Sequence, residues 1–391
     1  MKLLRKNEKG GAGVVALLLV ILILAVGTAV LVIMDNGSIG KSTNMDAVKI
    51  TTDDKPKTEE SSSEPEPVVT EEPVKEPEPE TLKPAKSADY KEVNAKKITS
   101  KYCILVDADK NEIIAGSGYD TKIYPASLTK LLTLLVAVEN VEDTKATFKF
   151  TDEILDPLIE QDASRVGFEP GEKVTIKDML YGAILCSGAD ATTGLAITVA
   201  GSEKDFAAMM NEKAKELGME NTHFTNASGL YDKKHVTTCE DMAILMKAVL
   251  ANKTCKKIIS TETYTTSKTE EHPDGITIDS IVFHNIYSYG KDPDFEIGGG
   301  KTGYTDESGT LIATYLEYEG KTYIAVTAKA LGQDEPVLDT EYLYHTYVVE
   351  PLKKANEKSD ESKDESSDES KDESSDESKE EKSDDKDKKE E

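Results

Sequence analysis

Cysteine and histidine are scarce in this chain of 391 residues, and neither occurs in a metal-binding pattern. The four cysteines show no CxxC spacing, and the five histidines include no HExxH sequence. Zinc peptidases and dithiol redox proteins depend on such patterns, so we expect neither a metal ion nor another cofactor. Two alternatives stay open for the cysteines, a disulfide between Cys239 and Cys255 or four free thiols.

The chain also has far fewer basic than acidic residues. The formal net charge is -28 at pH 7, with 47 Lys and Arg against 75 Asp and Glu. Such a chain repels phosphates, and nucleic acid is therefore not an expected partner. About half of the acidic excess lies in residues 35–90 and 353–391, which do not need to fold.

One long segment carries no charge at all. At about 1.5 Å per residue, the apolar run from Gly10 to Met34 is long enough to cross a hydrocarbon core roughly 30 Å thick. Four basic residues precede it and Asp35 follows, which predicts a transmembrane anchor with residues 1–9 in the cytoplasm and the rest outside the cell membrane. A cleaved signal peptide is the alternative, and either one predicts an exported domain.

Two segments lack the apolar residues of a core. Residues 35–97 contain seven of the fourteen prolines in a Glu/Pro/Lys/Thr mixture, which predicts a disordered linker that holds a domain away from the membrane. Residues 351–391 repeat the sequence Asp-Glu-Ser-Ser-Asp-Glu-Ser-Lys, which predicts a disordered acidic tail. The globular part is therefore predicted to be one domain, residues 98–350.

Hydrophobic periodicity within this domain predicts strands at both ends and helices between them. The predicted strands are Tyr102–Val106, Ile113–Ala115, Thr310–Tyr318 and Thr322–Ala328, the last two joined by a turn at Glu319-Gly320. The predicted helices are Leu128–Val138, Ile176–Leu185, Asp205–Leu217 and Glu240–Ala251. This order predicts an α+β fold in which the terminal strands meet in an antiparallel sheet flanked by helices.

Ser127 and Lys130 form the first candidate catalytic pair. They follow Pro125 at the start of a predicted buried helix, where residues three apart share a face. A lysine amine can take the serine proton if it is neutral, a state that burial or a nearby positive charge favours. The same spacing also occurs at Ser38/Lys41, Ser288/Lys291 and Ser383/Lys386. Without other motifs, the preferred interpretation is a helix-start serine beside a solvated lysine.

A glycine-rich segment before the C-terminal hairpin is the second candidate. It is Gly299-Gly300-Lys301-Thr302-Gly303-Tyr304, and it occurs once. Small residues let a substrate backbone approach a strand closely, while Lys301 and Thr302 could bind an anionic group. Lys301 could also help to keep Lys130 deprotonated. A glycine-rich turn with a surface lysine is the alternative.

Taken in order, these segments resemble the serine D-alanyl-D-alanine carboxypeptidases, the low-molecular-mass penicillin-binding proteins related to serine β-lactamases. The resemblance spans nearly all of residues 98–350. The matching stretches are Pro125 to Lys130, Pro170 to Glu172, Cys186 to Ala191, Leu217 to Met219, Asn221 to Phe224, Asn226 to Leu230, and Lys301 to Gly303. It implies the fold shared by serine β-lactamases and D,D-peptidases.

The resemblance also implies a reaction on peptidoglycan stem peptides. Ser127 would attack the carbonyl between two D-alanines, Lys130 would act as base, and Ser187 would relay a proton to the leaving amine. The implied substrate-binding residues are Lys301, Thr302, Gly303 and Tyr304. Lysine and threonine would hold the substrate carboxylate, and the backbone N–H groups of the serine and the tyrosine would form the oxyanion hole. A β-lactam would trap Ser127 as a stable ester.

The second motif departs from the family pattern. The family has Ser-x-Asn where this chain has Ser187-Gly188-Ala189, so an amide that would orient substrate and lysine is missing. Asp190 comes next, but an adjacent residue generally points elsewhere. A serine here also fits a helix cap.

Three functions fit these observations. We expect a membrane-tethered D,D-carboxypeptidase that acts at the outer face of the cell membrane. A β-lactamase would need a carboxylate that activates the deacylating water, and no Glu-x-x-Leu-Asn sequence occurs. A non-catalytic wall-binding protein would keep the fold without forming an acyl-enzyme.

Overall fold

A computed structural model describes residues 82–291 and 294–358. The predicted cytoplasmic segment and membrane anchor, and most of the predicted linker and tail, lie outside these residues. Among the helices of the described ranges, none combines the length and the apolar character that a membrane crossing requires.

The strands of the described residues form one large sheet and two small ones. They are β1 (Ala85–Glu92), β2 (Tyr102–Asp107), β3 (Glu112–Ser117), β4 (Thr147–Lys149), β5 (Lys173–Thr175), β6 (Thr263–Thr265), β7 (Thr277–Asp279), β8 (Ile297–Thr305), β9 (Gly309–Tyr318) and β10 (Lys321–Ala330). The large sheet has the order β1-β3-β2-β10-β9-β8. Its neighbours are antiparallel except for β1 and β3, which run parallel.

Most helices lie between the two groups of strands, as the hydrophobic periodicity predicts. A 3₁₀ turn, Ala126–Thr129, leads into the first α-helix. The α-helices of the described residues are α1 (Lys130–Asn140), α2 (Asp152–Glu160), α3 (Ile176–Leu185), α4 (Ala189–Ala200), α5 (Glu203–Glu216), α6 (Cys239–Ala251), α7 (Lys253–Ile259), α8 (Ile281–Tyr289) and α9 (Glu335–Tyr344). A π-helical turn, His345–Val349, continues α9 into further helical residues that extend to 358.

Both faces of the central strands are buried. Along β2, Ile104 and Val106 belong to a core shared with most of the helices, whereas Cys103 and Leu105 belong to a second core shared with α9 and its extension. Successive side chains of a strand point to opposite faces, so a strand covered on both sides has an unbroken apolar sequence. Helix α1 is buried from Lys130 to Ala137, which places its N-terminal end inside the protein.

The predicted α+β fold is confirmed. β2 pairs with β10, which joins the N-terminal strands to the C-terminal hairpin in an antiparallel arrangement. The hairpin turns at Glu319 and Gly320, whose φ angles of 50° and 75° suit a two-residue hairpin turn.

The predicted linker extends too far toward the C-terminus. Ala85–Glu92 forms β1, which pairs with β3, and Val93 behind it is buried. β1 is an edge strand in which most side chains are exposed, so backbone hydrogen bonds rather than apolar burial hold it. Because β1 is polar in composition, the sequence pattern did not predict this strand.

The predicted tail begins too early. Residues 350–358 are helical, and Leu352 packs against the second core. The cysteine alternatives are also decided, since all four cysteines are free thiols.

Candidate active site

Ser127 and Lys130 are brought together by the 3₁₀ turn that precedes α1. Residues three apart eclipse each other in a 3₁₀ helix, and here the Lys130 Nζ lies 3.0 Å from the Ser127 Oγ. The turn begins with strain, because Ala126 has a φ of 47°, in the left-handed region. Predicting the α-helix from Leu128 was slightly wrong, since the pair lies on the tighter turn and the α-helix begins at Lys130.

Lys130 is in a state that suits a base. It is 2% exposed, and burial lowers the pKa of its amine to about 7, while the nearby Asp190 acts in the opposite direction. Near neutral pH a large share of this amine is therefore uncharged and able to accept a proton.

Lys301 lies near Lys130 in the structure, although the two residues are far apart in the sequence. It lies on β8, the last strand of the large sheet, and it is fully buried with its Nζ donating to the Thr302 carbonyl oxygen at 2.8 Å. Burial, together with the charge of Lys130, holds the pKa of Lys301 well below its usual range. The two lysines therefore lie close enough to interact.

The glycines around Lys301 pack against different parts of the chain. A Cβ on Gly303 would lie 3.2 Å from the Ser127 backbone nitrogen, so this glycine is the one that borders the serine. Gly299 and Gly300 instead pack against the carbonyl oxygens of Ile259 and Ala313. Gly303 is therefore the one of these three glycines that borders the serine.

Tyr304 and Thr302 lie further along the same strand. The Tyr304 side chain is 59% exposed, and its hydroxyl donates to the Asp306 carboxylate at 2.7 Å. Thr302 is half-buried next to the fully buried Lys301. The strand thus presents a lysine, a threonine and an exposed tyrosine in sequence order along one edge of the sheet.

Ser187 lies on the connection between α3 and α4. It is 5% exposed and has a φ of 62°, a strained conformation for a residue with a side chain. Its neighbour Cys186 influences the pKa of both Lys130 and Lys301, which indicates that this connection lies near the two lysines. Ser187 does not cap α4, since Gly188 occupies the N-cap position and provides no side chain.

A turn at residues 226–230 contributes a group that sequence reasoning missed. The Ser228 carbonyl oxygen accepts a hydrogen bond from the Lys130 Nζ at 2.5 Å. The Asn226 side chain holds the turn, because its Oδ1 accepts from the backbone N–H groups of Ser228 and Gly229. The sequence Asn-Ala-Ser-Gly does indicate a turn, but not which residue it contacts.

His235 contacts the 3₁₀ turn that carries Ser127. Its Nδ1 accepts from the Thr225 backbone N–H at 3.1 Å, so the neutral ring carries its proton on Nε2, which lies 2.8 Å from the Thr129 Oγ1. Burial lowers the pKa of His235 to about 4, which keeps the ring neutral near pH 7. Thr129 lies between the serine and the lysine, so this contact ties their turn to the segment that carries Ser228.

Comparison with known proteins agrees with the arrangement of these elements. The family model described as D-alanyl-D-alanine carboxypeptidase matches residues 89–331. This chain belongs to that family. It is 30% identical over 267 residues to the carboxypeptidase DacF of Bacillus subtilis, covering 66% of this chain and 65% of the relative. It is 29% identical over 280 residues to DacA of Escherichia coli K12, covering 68% and 66%.

Solved structures of similar fold include the DD-transpeptidase of Streptomyces K15, with a TM-score of 0.57 and 24% identity over 63% of this chain and 96% of that one. The D-alanyl-D-alanine carboxypeptidase of Mycobacterium tuberculosis has a TM-score of 0.55 and 24% identity, covering 63% and 92%. These neighbours establish the D,D-peptidase-like fold. Against the curated relatives named above, the chain spans just under two thirds of their own length.

The family pattern makes Ala189 and Asp190 informative. Ala189 opens α4 with a buried methyl group where the family has an amide. The Asp190 carboxylate does not replace that amide, because it accepts from the backbone N–H groups of Val166 and Gly167 at 2.9 and 3.0 Å. Asp190 therefore fastens the loop before β5 to the start of α4, which agrees with the expectation that it points elsewhere.

Proposed function

We propose that this chain is a serine-type D-Ala-D-Ala carboxypeptidase that removes the terminal D-alanine from peptidoglycan stem peptides. The observation that carries the proposal is the buried Lys130 amine, 3.0 Å from the Ser127 hydroxyl and with a pKa of about 7. An uncharged amine next to a hydroxyl is the arrangement that turns a serine into a nucleophile at neutral pH. Membership of the carboxypeptidase family supports the choice of substrate.

Acylation would follow from this geometry. The Ser127 Oγ forms a bond to the carbonyl carbon between the two D-alanines, and its proton passes to the Lys130 amine. The tetrahedral oxyanion is held by the backbone N–H groups of Ser127 and Tyr304, where the loss of one donor typically costs about 3 kcal/mol. The C–N bond then breaks, and the leaving amine takes a proton through Ser187.

Lys301 would recognise the free carboxylate at the end of the substrate. Its buried amine has no carboxylate partner among the described residues, and both burial and the charge of Lys130 lower its pKa. An incoming carboxylate would favour the protonated form of Lys301, with Thr302 adding a hydrogen bond. Peptides that lack a free C-terminal carboxylate would lose this interaction.

Water would complete the cycle by attacking the ester on Ser127, which releases the shortened peptide and restores the serine. A β-lactam presents a similar carbonyl and carboxylate but keeps its leaving group attached after ring opening. The resulting ester on Ser127 would be long-lived, so β-lactams are the proposed inhibitors.

The test uses the full-length chain purified in a mild detergent. We expect it to release D-alanine from a peptide that ends in D-Ala-D-Ala and to form a covalent adduct with a fluorescent penicillin. Ser127→Ala should abolish both. Ser288→Ala is the matched control, because Ser288 and Lys291 have the same spacing but are both exposed, and this variant should behave like the wild type.

Two outcomes would contradict the proposal. Rapid turnover of nitrocefin without release of D-alanine would favour a β-lactamase. Failure of the folded wild-type chain to form a penicillin adduct would favour a non-catalytic wall-binding protein.

We further propose that the catalytic domain works outside the cell membrane, tethered by the apolar run from Gly10 to Met34. The basic residues before that run and Asp35 after it support this orientation. The full chain should fractionate with membranes and be open to protease added to the outer face, whereas deletion of residues 10–34 should leave it in the cytoplasm. A soluble exported protein with an N-terminus near residue 28 would instead show signal-peptide cleavage.

A further inference from the structure

The Asn226 side chain makes most of the side-chain hydrogen bonds within the turn at residues 226–230, and the Thr133 Oγ1 adds one from outside by donating to the Ala227 carbonyl oxygen at 2.7 Å. The Asn226 Oδ1 accepts from the Gly229 N–H at 2.7 Å and from the Ser228 N–H and Oγ at 3.2 Å each. Its Nδ2 donates to the Leu230 carbonyl oxygen at 3.0 Å. These hydrogen bonds hold the peptide group between Ser228 and Gly229 in one orientation.

That peptide group is one of two hydrogen-bond partners that the Lys130 Nζ has within the described part of the chain. A neutral amine has two N–H groups and one lone pair. If one N–H donates to the Ser228 carbonyl oxygen, the amine cannot rotate freely, and its lone pair can stay directed at the Ser127 hydroxyl. The small side chain of Ala189 offers no polar atom that could do this instead.

We infer that Asn226 is a positioning residue for acylation, which orients the Lys130 amine through the carbonyl group of Ser228. The inference rests on the proposed function, since it assigns how that function's base is aligned. Asn226 itself makes no hydrogen bond to Ser127 or Lys130 in the described residues, so it acts only through the turn.

The titratable groups that interact with Lys130 come from several elements. Lys301 lies on β8, Cys186 at the end of α3, Asp190 on α4, and His235 in the segment before α6. None of them is altered by a change at residue 226. The Ser228 carbonyl oxygen favours the protonated amine, so its loss should lower the pKa of Lys130 and move the acid limb of acylation to lower pH.

The experiment measures acylation of the full-length chain by a fluorescent penicillin between pH 5 and 9. For Asn226→Ala we expect the plateau rate above the acid limb to fall on the order of 10- to 100-fold, as expected when a catalytic group is misplaced by about 1 Å. The limb should also shift to lower pH, and the concentration of penicillin that gives half-maximal rate should change little. Asn226→Asp keeps the acceptor oxygen for both N–H groups but loses the donor to the Leu230 carbonyl oxygen, so it should retain more of the plateau rate than Asn226→Ala.

Asn211→Ala is the matched control. Asn211 also holds this region with its side chain, donating to the Phe224 carbonyl oxygen and accepting from the Phe224 N–H, but it does not touch the turn that carries Ser228. We expect this variant to lose thermal stability while keeping both the plateau rate and the position of the limb. If Asn226→Ala does not fold, Asn226→Ser replaces it, because a serine hydroxyl is too short to serve both N–H groups.

The outcomes are separable from those that test the proposed function. Failure of the wild type to acylate contradicts the function itself. Acylation by the wild type with an unchanged plateau and limb in the Asn226 variants overturns the positioning role. Equal losses in Asn226→Ala and Asn226→Asp, or a limb shift of the same size in Asn211→Ala, would also overturn it.

Discussion

Gly229 lies against the carbonyl group of Ala126, the residue that precedes the candidate nucleophile. A Cβ on Gly229 would be 1.9 Å from the Ala126 carbonyl oxygen and 3.0 Å from the Ser127 backbone nitrogen. Gly229 also has a φ of 84°, which few other residues adopt without strain. The turn that contacts Lys130 and the turn that carries Ser127 are therefore in direct backbone contact, and only a glycine permits it.

Gly229→Ala should damage both stability and acylation. We expect a loss of about 3 kcal/mol in the free energy of unfolding, from the left-handed φ together with the clash, because backbone atoms must move. The displaced turn should slow penicillin acylation by at least about tenfold. Chemical denaturation and adduct formation measure the two effects.

Gly218→Ala separates the two causes. Gly218 has a similar φ of 81°, but a Cβ there would meet no atom within 4 Å. This variant should lose only about 1 kcal/mol, with normal acylation. Equal effects at the two glycines would contradict the role assigned to the contact with Ala126.

The rate of acylation should depend on the titration of Lys130. The reactive amine is the neutral form, so below its pKa of about 7 the rate should fall about tenfold per pH unit, and above it the rate should level off. Lys130→Met should reduce the plateau by about 10²- to 10⁴-fold, as expected for the loss of a general base. A rate that stays constant from pH 5 to 8 in the wild type would show that another group sets the reactivity of Ser127.

The titration of Lys130 should also make the free energy of unfolding depend on pH. The pKa of Lys130 is about 7 in the folded chain against an ordinary value of 10.5, so above pH 7 the unfolded chain binds a proton that the folded chain has released. Stability should therefore rise with pH in this range, by up to about 1.4 kcal/mol per unit. Comparing the wild type with Lys130→Met between pH 7 and 8.5 isolates this contribution. Parallel stability curves for the two proteins would contradict the burial of a titrating amine.

His235 should make the protein sensitive to acid. Its pKa is about 4 in the folded chain against 6.5 ordinarily, so its contribution is complete above pH 6.5 and is lost as the pH falls toward 4. Protonation of Nδ1 also removes the acceptor of the Thr225 N–H. His235→Gln should reduce the acid-induced loss by up to about 2 kcal/mol, measured by denaturation at pH 6.5 and 4.5. The exposed His284→Gln is the control for the loss of an imidazole elsewhere in the chain.

The pattern of apolar residues predicted four of the ten strands and four of the nine α-helices in the described residues. Helix α3 has the predicted bounds, and β2 and β9 differ from them by one residue, because helical spacing marks the helix and a short apolar run marks a strand that is buried on both faces. β1 was missed because an edge strand with exposed side chains has no such pattern. Its partner β3 is about twenty residues away in sequence, so only the completed sheet identifies it.

The sequence by itself determined the chemical groups of the site, their order along the chain and the family to which they belong. It contains four Ser-x-x-Lys spacings, and two of them, Ser127/Lys130 and Ser288/Lys291, lie in the described residues. The resemblance selects the first of these two, and the tertiary structure supplies the physical difference, since it buries Lys130 beside Lys301 while leaving Lys291 exposed. It also brought the Ser228 carbonyl group, 98 residues away, to the Lys130 amine. A pKa and an orientation depend on which distant atoms exclude water and accept hydrogen bonds, and these are properties of packing rather than of local sequence.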